Sequence, residues 1–346
     1  MVARFPSGTN TYIPNTDATN NLVVDFSRNP KEFPISEWTQ YVPVTKNVGR
    51  YIEMKIEMAG RILNSDGSDM AWSDGAQRPS NQGNVESFEF KPYQTRRYET
   101  GFNLGELAAD QAEWDILAHH ARIHAQRMMT LRTQLAVTVA TTSGNYAATH
   151  TSAVSAIADV TDKWDLSTTA RSDIKRSFDY AADIIRQDTL SVVKPDQLMV
   201  VMSPGCARKL AVCQEVRDFI KGSPDASKLI TSNLGSHNNY GLPDTLFDYK
   251  IIVEDTVKTT NRKGATKATS DVLADATPFM CARPGELEGI EGSPSFSSFT
   301  LFLKEELTVE SKHDRDARRH QGSVVDDQVC TMTAPISAFL FTAAVN

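Results

Sequence analysis

An α+β fold is expected for this chain on three observations. Residues Arg50 to Lys91 read as a long hairpin of two alternating strands, and Leu107 to Thr141 as one long helix. From Thr169 the pattern runs helix, strand, helix, and several further strands follow to the C-terminus. With 346 residues the chain can form two domains or one large elaborated domain, and its core needs no disulfide staples.

Residues 1–49 read as an extended arm. Pro6, Pro14, Pro30, Pro34 and Pro43 recur through it, and proline interrupts both helices and central strands. Phe26, Phe33, Ile35, Trp38, Tyr41 and Val42 lie between them, more large apolar residues than a disordered linker holds. Such an arm becomes ordered by lying on another surface.

In the hairpin, Ile52, Met54, Ile56 and Met58 alternate with Glu53, Lys55 and Glu57, the period of a strand covered on one face. Phe88 and Phe90 alternate with Ser87, Glu89 and Lys91 in the return strand, and the polar stretch Asn64 to Asn84 forms the tip. An isolated two-stranded hairpin is marginal in water, so its apolar face implies a partner surface.

Asn103 with Glu106 three residues on resembles a capping box. Neither proline nor glycine interrupts Leu107 to Thr141, and Leu107, Trp114, Leu117, Ala121, Met128, Leu131 and Leu135 form an apolar stripe. Such a helix would be roughly 50 Å long, a strut. A second helix is expected over Thr169 to Arg186, with Ile174, Phe178, Ala181 and Ile185 on one face. Pro195 then opens a buried strand, Gln197 to Met202, and Pro204 suits the first turn of the next helix. Later strands are expected at Tyr249–Val253, Pro278–Ala282, Ser298–Leu303, Leu307–Ser311, Gln328–Thr333 and Ala338–Val345. Lys258 to Thr269, polar and basic, reads as a surface loop.

Composition narrows the function. Lys and Arg number 36 against 43 Asp and Glu, a net charge of −7, which disfavours a chain whose main task is gripping nucleic acid. No apolar run reaches the ~20 residues of a membrane span, and Met1 to Pro14 has no secretory core. A soluble intracellular protein is expected, without membrane contact.

The candidate chemistry is thin. Cys206, Cys213, Cys281 and Cys330 form no C-x-x-C pair. Cys206 follows Ser203-Pro204-Gly205 in a first helical turn, where a thiol can become nucleophilic, but no His lies near it in sequence. His120 and His124 share a helical face beside His119, yet Ala121 stands where a zinc protease helix has Glu. Asp66, Asp69 and Asp74 lack calcium-loop spacing and suit turns. Lys312 to His320 interleaves its basic residues with Asp314 and Asp316 and reads as a solvated loop with internal ion pairs. No catalytic residue, cofactor or metal ligand is assigned, and no enzyme activity is expected.

Several stretches resemble the major capsid protein of tailed bacteriophages, whose Hong Kong-type fold is shared with encapsulins. Ala71-Trp72-Ser73-Asp74-Gly75 with Pro79 is similar to that family's hairpin tip, and Phe88-Glu89-Phe90-Lys91-Pro92-Tyr93 to the returning strand. Asp196 to Pro204, followed by Ala207 and Leu210, resembles the strand-to-helix step of the axial domain. Ala334-Pro335-Ile336-Ser337-Ala338-Phe339 resembles the closing segment. Arm, hairpin, spine helix, α/β insertion and β-rich return also come in the family's order.

The resemblance implies an arm at 1–49, an extended hairpin loop at 50–101, a peripheral domain with the spine helix at 102–165 and 300–333, and an axial domain at 166–299 and 334–346. It implies self-assembly through hexamers and pentamers into an icosahedral head, built in the host cytoplasm, that encloses double-stranded DNA without sequence specificity. Scaffolding, portal and decoration proteins are the further partners it implies. The arm begins almost at Met1, so any scaffold is expected to be a separate protein or already removed. No lysine lies between Lys55 and Lys91 to crosslink neighbours from the tip. The expected inter-subunit contact is Ile52, Met54, Ile56, Met58, Trp72, Phe88 and Phe90. An encapsulin-like shell around enzyme cargo is the alternative, and a soluble α/β enzyme using Cys206 or His120 and His124 is a more distant one.

Overall fold

The computed structural model describes residues 28–54, 74, 88–110, 115–222, 240–285 and 297–346. A short helix α1 (Ile35–Trp38) and strand β1 (Gln40–Pro43) precede the hairpin strands β2 (Val48–Met54) and β3 (Phe88–Gln94). Strand β4 (Arg96–Gly105), helix α2 (Glu106–Asp110) and the long helix α3 (Ile116–Thr141) follow. After β5 (Thr151–Ala153) come α4 (Asp173–Asp188), β6 (Leu198–Met202), α5 (Pro204–Val212) and α6 (Gln214–Gly222). The remaining strands are β7 (Thr245–Leu246), β8 (Tyr249–Val253), β9 (Val257–Thr259), β10 (Thr269–Asp271), β11 (Phe279–Ala282), β12 (Phe299–Asp314), β13 (Arg319–Met332) and β14 (Ala338–Thr342).

Two larger sheets organise the chain, one ordered β1-β12-β13-β4 and the other β5-β14-β11-β6-β8-β7. The six-stranded sheet is covered on both faces, which is why Leu198–Met202 is an unbroken apolar run rather than an alternating one. Leu198, Val200 and Met202 point into a core shared with α4, α5, Phe339 and Phe341. Met199 and Val201 point the other way, into a core shared with α3, Trp38, Phe299 and Leu301. Helix α3 therefore packs against both sheets.

The N-terminus of α4 is capped from outside its own segment. Glu215 of α6 accepts the backbone N–H groups of Ile174 and Lys175 at 3.0 and 3.1 Å, putting a carboxylate on the positive end of the helix dipole. Ile174, Phe178, Ala181 and Ile185 are fully buried, as their spacing predicts. At α5, Ser203 accepts from the Cys206 N–H at 3.1 Å and Pro204 occupies the first turn.

Four expectations need correction. Asn103 caps no helix: it lies in β4, opposite Gln321. The long helix starts at Ile116 with Asp115 as its cap, accepting from Ala118 N–H at 2.9 Å. Its 26 residues span about 39 Å rather than 50. The buried stripe of α3 is also rotated from the expected one. Leu107 is exposed, Trp114 lies outside the described residues, and of the expected set only Met128 is buried. The inward face is Ala125, Met128, Met129, Arg132, Thr133, Ala136, Val137 and Ala140. Two of these positions are polar because Arg132 makes a buried two-point ion pair with Asp326 of β13, at 2.6 and 3.1 Å, and the Thr133 hydroxyl returns to Met129 O at 3.0 Å.

The third correction concerns the arm. Between Phe33 and Thr39 it belongs to this chain's own core, with Ile35 and Trp38 fully buried, and β1 then runs parallel to β12 with Gln40 opposite Thr300. The fourth concerns the basic cluster Lys312 to His320, which lies mostly in strand. It forms the end of a second long hairpin, with His313 opposite His320 and Asp314 opposite Arg319. Register shifts between Leu303 and Thr308 bend β12, where the pattern had suggested two separate strands.

Candidate assembly surface

Pairing in the β2–β3 hairpin fixes which residues share a face. Ile52 stands opposite Phe90, Met54 opposite Phe88, Val48 opposite Gln94 and Arg50 opposite Pro92. The odd-numbered positions form the other face, with Gly49 opposite Tyr93 and Tyr51 opposite Lys91. This second face packs on the chain itself. Tyr93 stacks flat on Phe302 of β12 at 4.2 Å between ring centroids, and Tyr51 stacks on the same ring at 6.1 Å. Gly49 makes room for that arrangement, since a Cβ there would fall 2.3 Å from the Tyr93 hydroxyl. Burial pushes the Tyr51 phenol up from its ordinary range, and Lys91, hydrogen-bonded and ion-paired to Glu53, is held above the usual ammonium range.

The face that looks away carries exposed apolar side chains, with Arg50 and Gln94 also exposed on it. Val48 is 60 % exposed, Ile52 54 % and Phe90 58 %. Ile52 and Phe90 are adjacent across the ladder, so they make one patch rather than scattered surface residues. Ile56, Met58 and Trp72, assigned to the same contact from sequence, lie outside the described residues. Val48 was missed because a glycine and an arginine separate it from the alternating run; its parity with Ile52 was the available signal.

The other candidate chemistry takes structural positions. Cys206 is fully buried, and burial pushes its thiol well above the ordinary range, the opposite of what a nucleophile needs. His120 and His124 lie against Phe102 of β4, with ring centroids 5.7 and 5.1 Å away. The Nδ1 atom of His124 is 2.8 Å from Thr100 Oγ1. Partial burial lowers both imidazoles, reinforced by His119 at His120 and by Arg127 at His124. Among the described residues no group of three His, Cys, Asp or Glu side chains is placed to hold a metal ion. In the basic cluster, Asp314 accepts from Asp316 and Ala317 N–H and from Arg319, so the hairpin end carries the internal ion pairing expected of it.

No family model matches the chain, and no curated protein matches it. Solved structures do. A phage-related protein from Bordetella bronchiseptica RB50 superposes with TM-score 0.59 at 14% identity, covering 89% of this chain and 90% of its own. The capsid of cyanophage P-SCSP1u gives TM-score 0.56 at 12% identity over 100% of this chain and 97% of that one. The mature capsid of bacteriophage PhiM1 gives 0.50 at 11% identity over 99% and 91%. The likeness runs through nearly the whole length of each partner, and the chain has the tailed-phage major capsid fold.

Proposed function

We propose that this chain is a major capsid protein, a structural subunit that assembles with copies of itself into the icosahedral head of a tailed bacteriophage around double-stranded DNA. The observation that carries the reading is the end-to-end fold likeness to phage capsid subunits. The uncovered apolar face on β2–β3 supports it. In this reading that face, with Ile52, Met54, Ile56, Met58, Trp72, Phe88 and Phe90, docks on a second copy of the chain. Fully burying a large apolar side chain contributes about 1.5–3 kcal/mol before ordering costs. Repetition around a closed shell makes such modest contacts collectively strong.

The four-stranded sheet with α3 would form the peripheral domain and the six-stranded sheet with α4 and α5 the axial domain. Scaffolding, portal and decoration proteins would join the shell during assembly in the host cytoplasm, and the finished subunit would reside in the virion. Electron microscopy of the purified protein, alone and co-expressed with the proteins encoded beside it, tests the reading. Closed particles that package DNA are expected. Only monomers under every condition, or closed particles filled with an enzyme instead of a genome, would overturn it.

A further inference from the structure

Charge on this acidic chain is segregated. Strands β9 and β10 form a two-stranded tongue, with Thr269 opposite Thr259 and Asp271 opposite Val257. Its residues 257–271 carry Lys258, Arg262, Lys263 and Lys267 against a single carboxylate, Asp271. Arg262, Lys263 and Lys267 are exposed. Asp255, at the tongue's base, is already neutralised by Arg28 at 2.7 Å. The tip has a fixed shape: Asn261 accepts from Ala268 N–H at 2.8 Å and donates to Arg262 O and Ala265 O, while Gly264 turns the chain with a φ of +89°. Lys258 Nζ donates to Gln134 Oε1 at 2.5 Å, which ties the base of the tongue to α3. That helix contains no Asp or Glu, and Arg127 is exposed on it.

We propose that the tongue, together with the adjoining outward face of α3, is a non-specific contact for the phosphate backbone of duplex DNA, so that this side of the subunit faces the packaged genome. The inference rests on the capsid reading and names the side of the subunit that meets its contents. The composition favours a phosphate polymer over a second protein. From Thr260 to Ala268 the tongue has no aromatic or large aliphatic residue to serve as the buried anchor that protein interfaces depend on. Lys, Arg, Thr, Asn and backbone N–H groups are the partners that contact phosphates without reading sequence. Weak single-subunit binding is expected, multiplied over the many copies of a shell.

The test uses the full-length protein and a random-sequence 30-base-pair duplex, with affinity followed against salt. The Arg262→Ala/Lys263→Ala/Lys267→Ala variant removes three exposed cations. Lys263→Arg/Lys267→Arg keeps the charge, and Lys312→Ala/Arg315→Ala/Arg318→Ala removes as much charge from the β12–β13 hairpin end. Each phosphate neutralised contributes about 0.9 to the slope of log affinity against log salt. The tongue variant should therefore lose up to about 2.7 from that slope and bind at least tenfold more weakly at low salt. The charge-keeping variant should match the wild type, and the hairpin-end variant should retain most of its binding. Equal loss from the tongue and the hairpin end would overturn the proposal, as would unchanged binding in the tongue variant. Altered particle assembly with unchanged DNA binding would also overturn it, assigning the tongue to a second copy. Electron microscopy of the same samples keeps the two ideas apart: intact shells with tongue-independent DNA binding would refute this inference while the capsid reading stands.

Discussion

Replacing Ile52 with Asp should separate folding from assembly. The side chain is 54 % exposed and lies on the hairpin face opposite the Tyr51 and Tyr93 stack on Phe302. In the isolated subunit the substitution should thus behave as a surface change, within about 0.5 kcal/mol of wild type. In the proposed shell a neighbouring copy would cover the same position. Covering the exposed half of an isoleucine contributes on the order of 1 kcal/mol. Placing a carboxylate there without a partner instead costs several kcal/mol or forces it to protonate. The swing per contact is therefore roughly 3–5 kcal/mol, repeated at every symmetry-related copy. Thermal unfolding of the subunit and static light scattering of assembly reactions measure the two effects independently. The expected result is an unchanged melting temperature with shells absent or fragile. A subunit that melts much earlier would show that this face packs within its own chain, and wild-type shell yield would show that nothing covers it.

Three further variants test the fold that presents this surface. Arg132→Met leaves Asp326 buried without its partner, and chemical denaturation should show a loss of about 3–5 kcal/mol; a loss below 1 kcal/mol would mean water or another group replaces the guanidinium. Trp38→Phe removes the indole N–H that Glu254 Oε2 accepts at 3.0 Å. Because burial already pushes that carboxyl up, denaturation should show a cost of about 1–3 kcal/mol, with no effect expected if the contact is dispensable. His120 and His124 are held below the ordinary imidazole range when folded, so the unfolded chain binds their protons more readily. Their contribution to stability is complete above pH ~6.5 and falls as pH drops through that value. Amide protection factors in the N-terminal half of α3, taken relative to the intrinsic exchange rate at each pH, should fall on acidification, and the His120→Gln/His124→Gln variant should flatten that response; an identical pH profile would exclude these two side chains as its source.

Legibility in the sequence followed locality. The α4 face at Ile174, Phe178, Ala181 and Ile185 and the step from Leu198–Met202 into α5 were readable, because period and capping are written within a few residues. The true start of α3 was not, because β4 exists only through its ladder with β13, more than 200 residues away. Asn103 with Glu106 mimics a cap, and only that long-range pairing overrides it. The rotated stripe of α3 has the same origin: Arg132 is legible as surface until Asp326 is known to stand opposite it. On the hairpin, alternation announced Ile52 and Phe90, but which face the molecule covers depended on Phe302, again distant in sequence.

These long-range ties show how the two cores close without drawing on every surface of the chain. Both cores close without the hairpin's outer face: α3 is fastened to β13 by Arg132 and Asp326, and the arm by Trp38 and Glu254. Tyr51 and Tyr93 stacked on Phe302 tie the hairpin to the chain, while Val48, Ile52 and Phe90 on its other face stay exposed. Exposed apolar residues grouped in one patch are the signature of an interaction surface, which is the role proposed for them. The basic tongue obeys the same logic with the opposite chemistry. Asn261 and Gly264 fix its shape, and the exposed charges of Arg262, Lys263 and Lys267 contribute nothing to that shape. Under the proposed capsid reading, the first surface would meet other copies of the chain and the second would meet what those copies enclose.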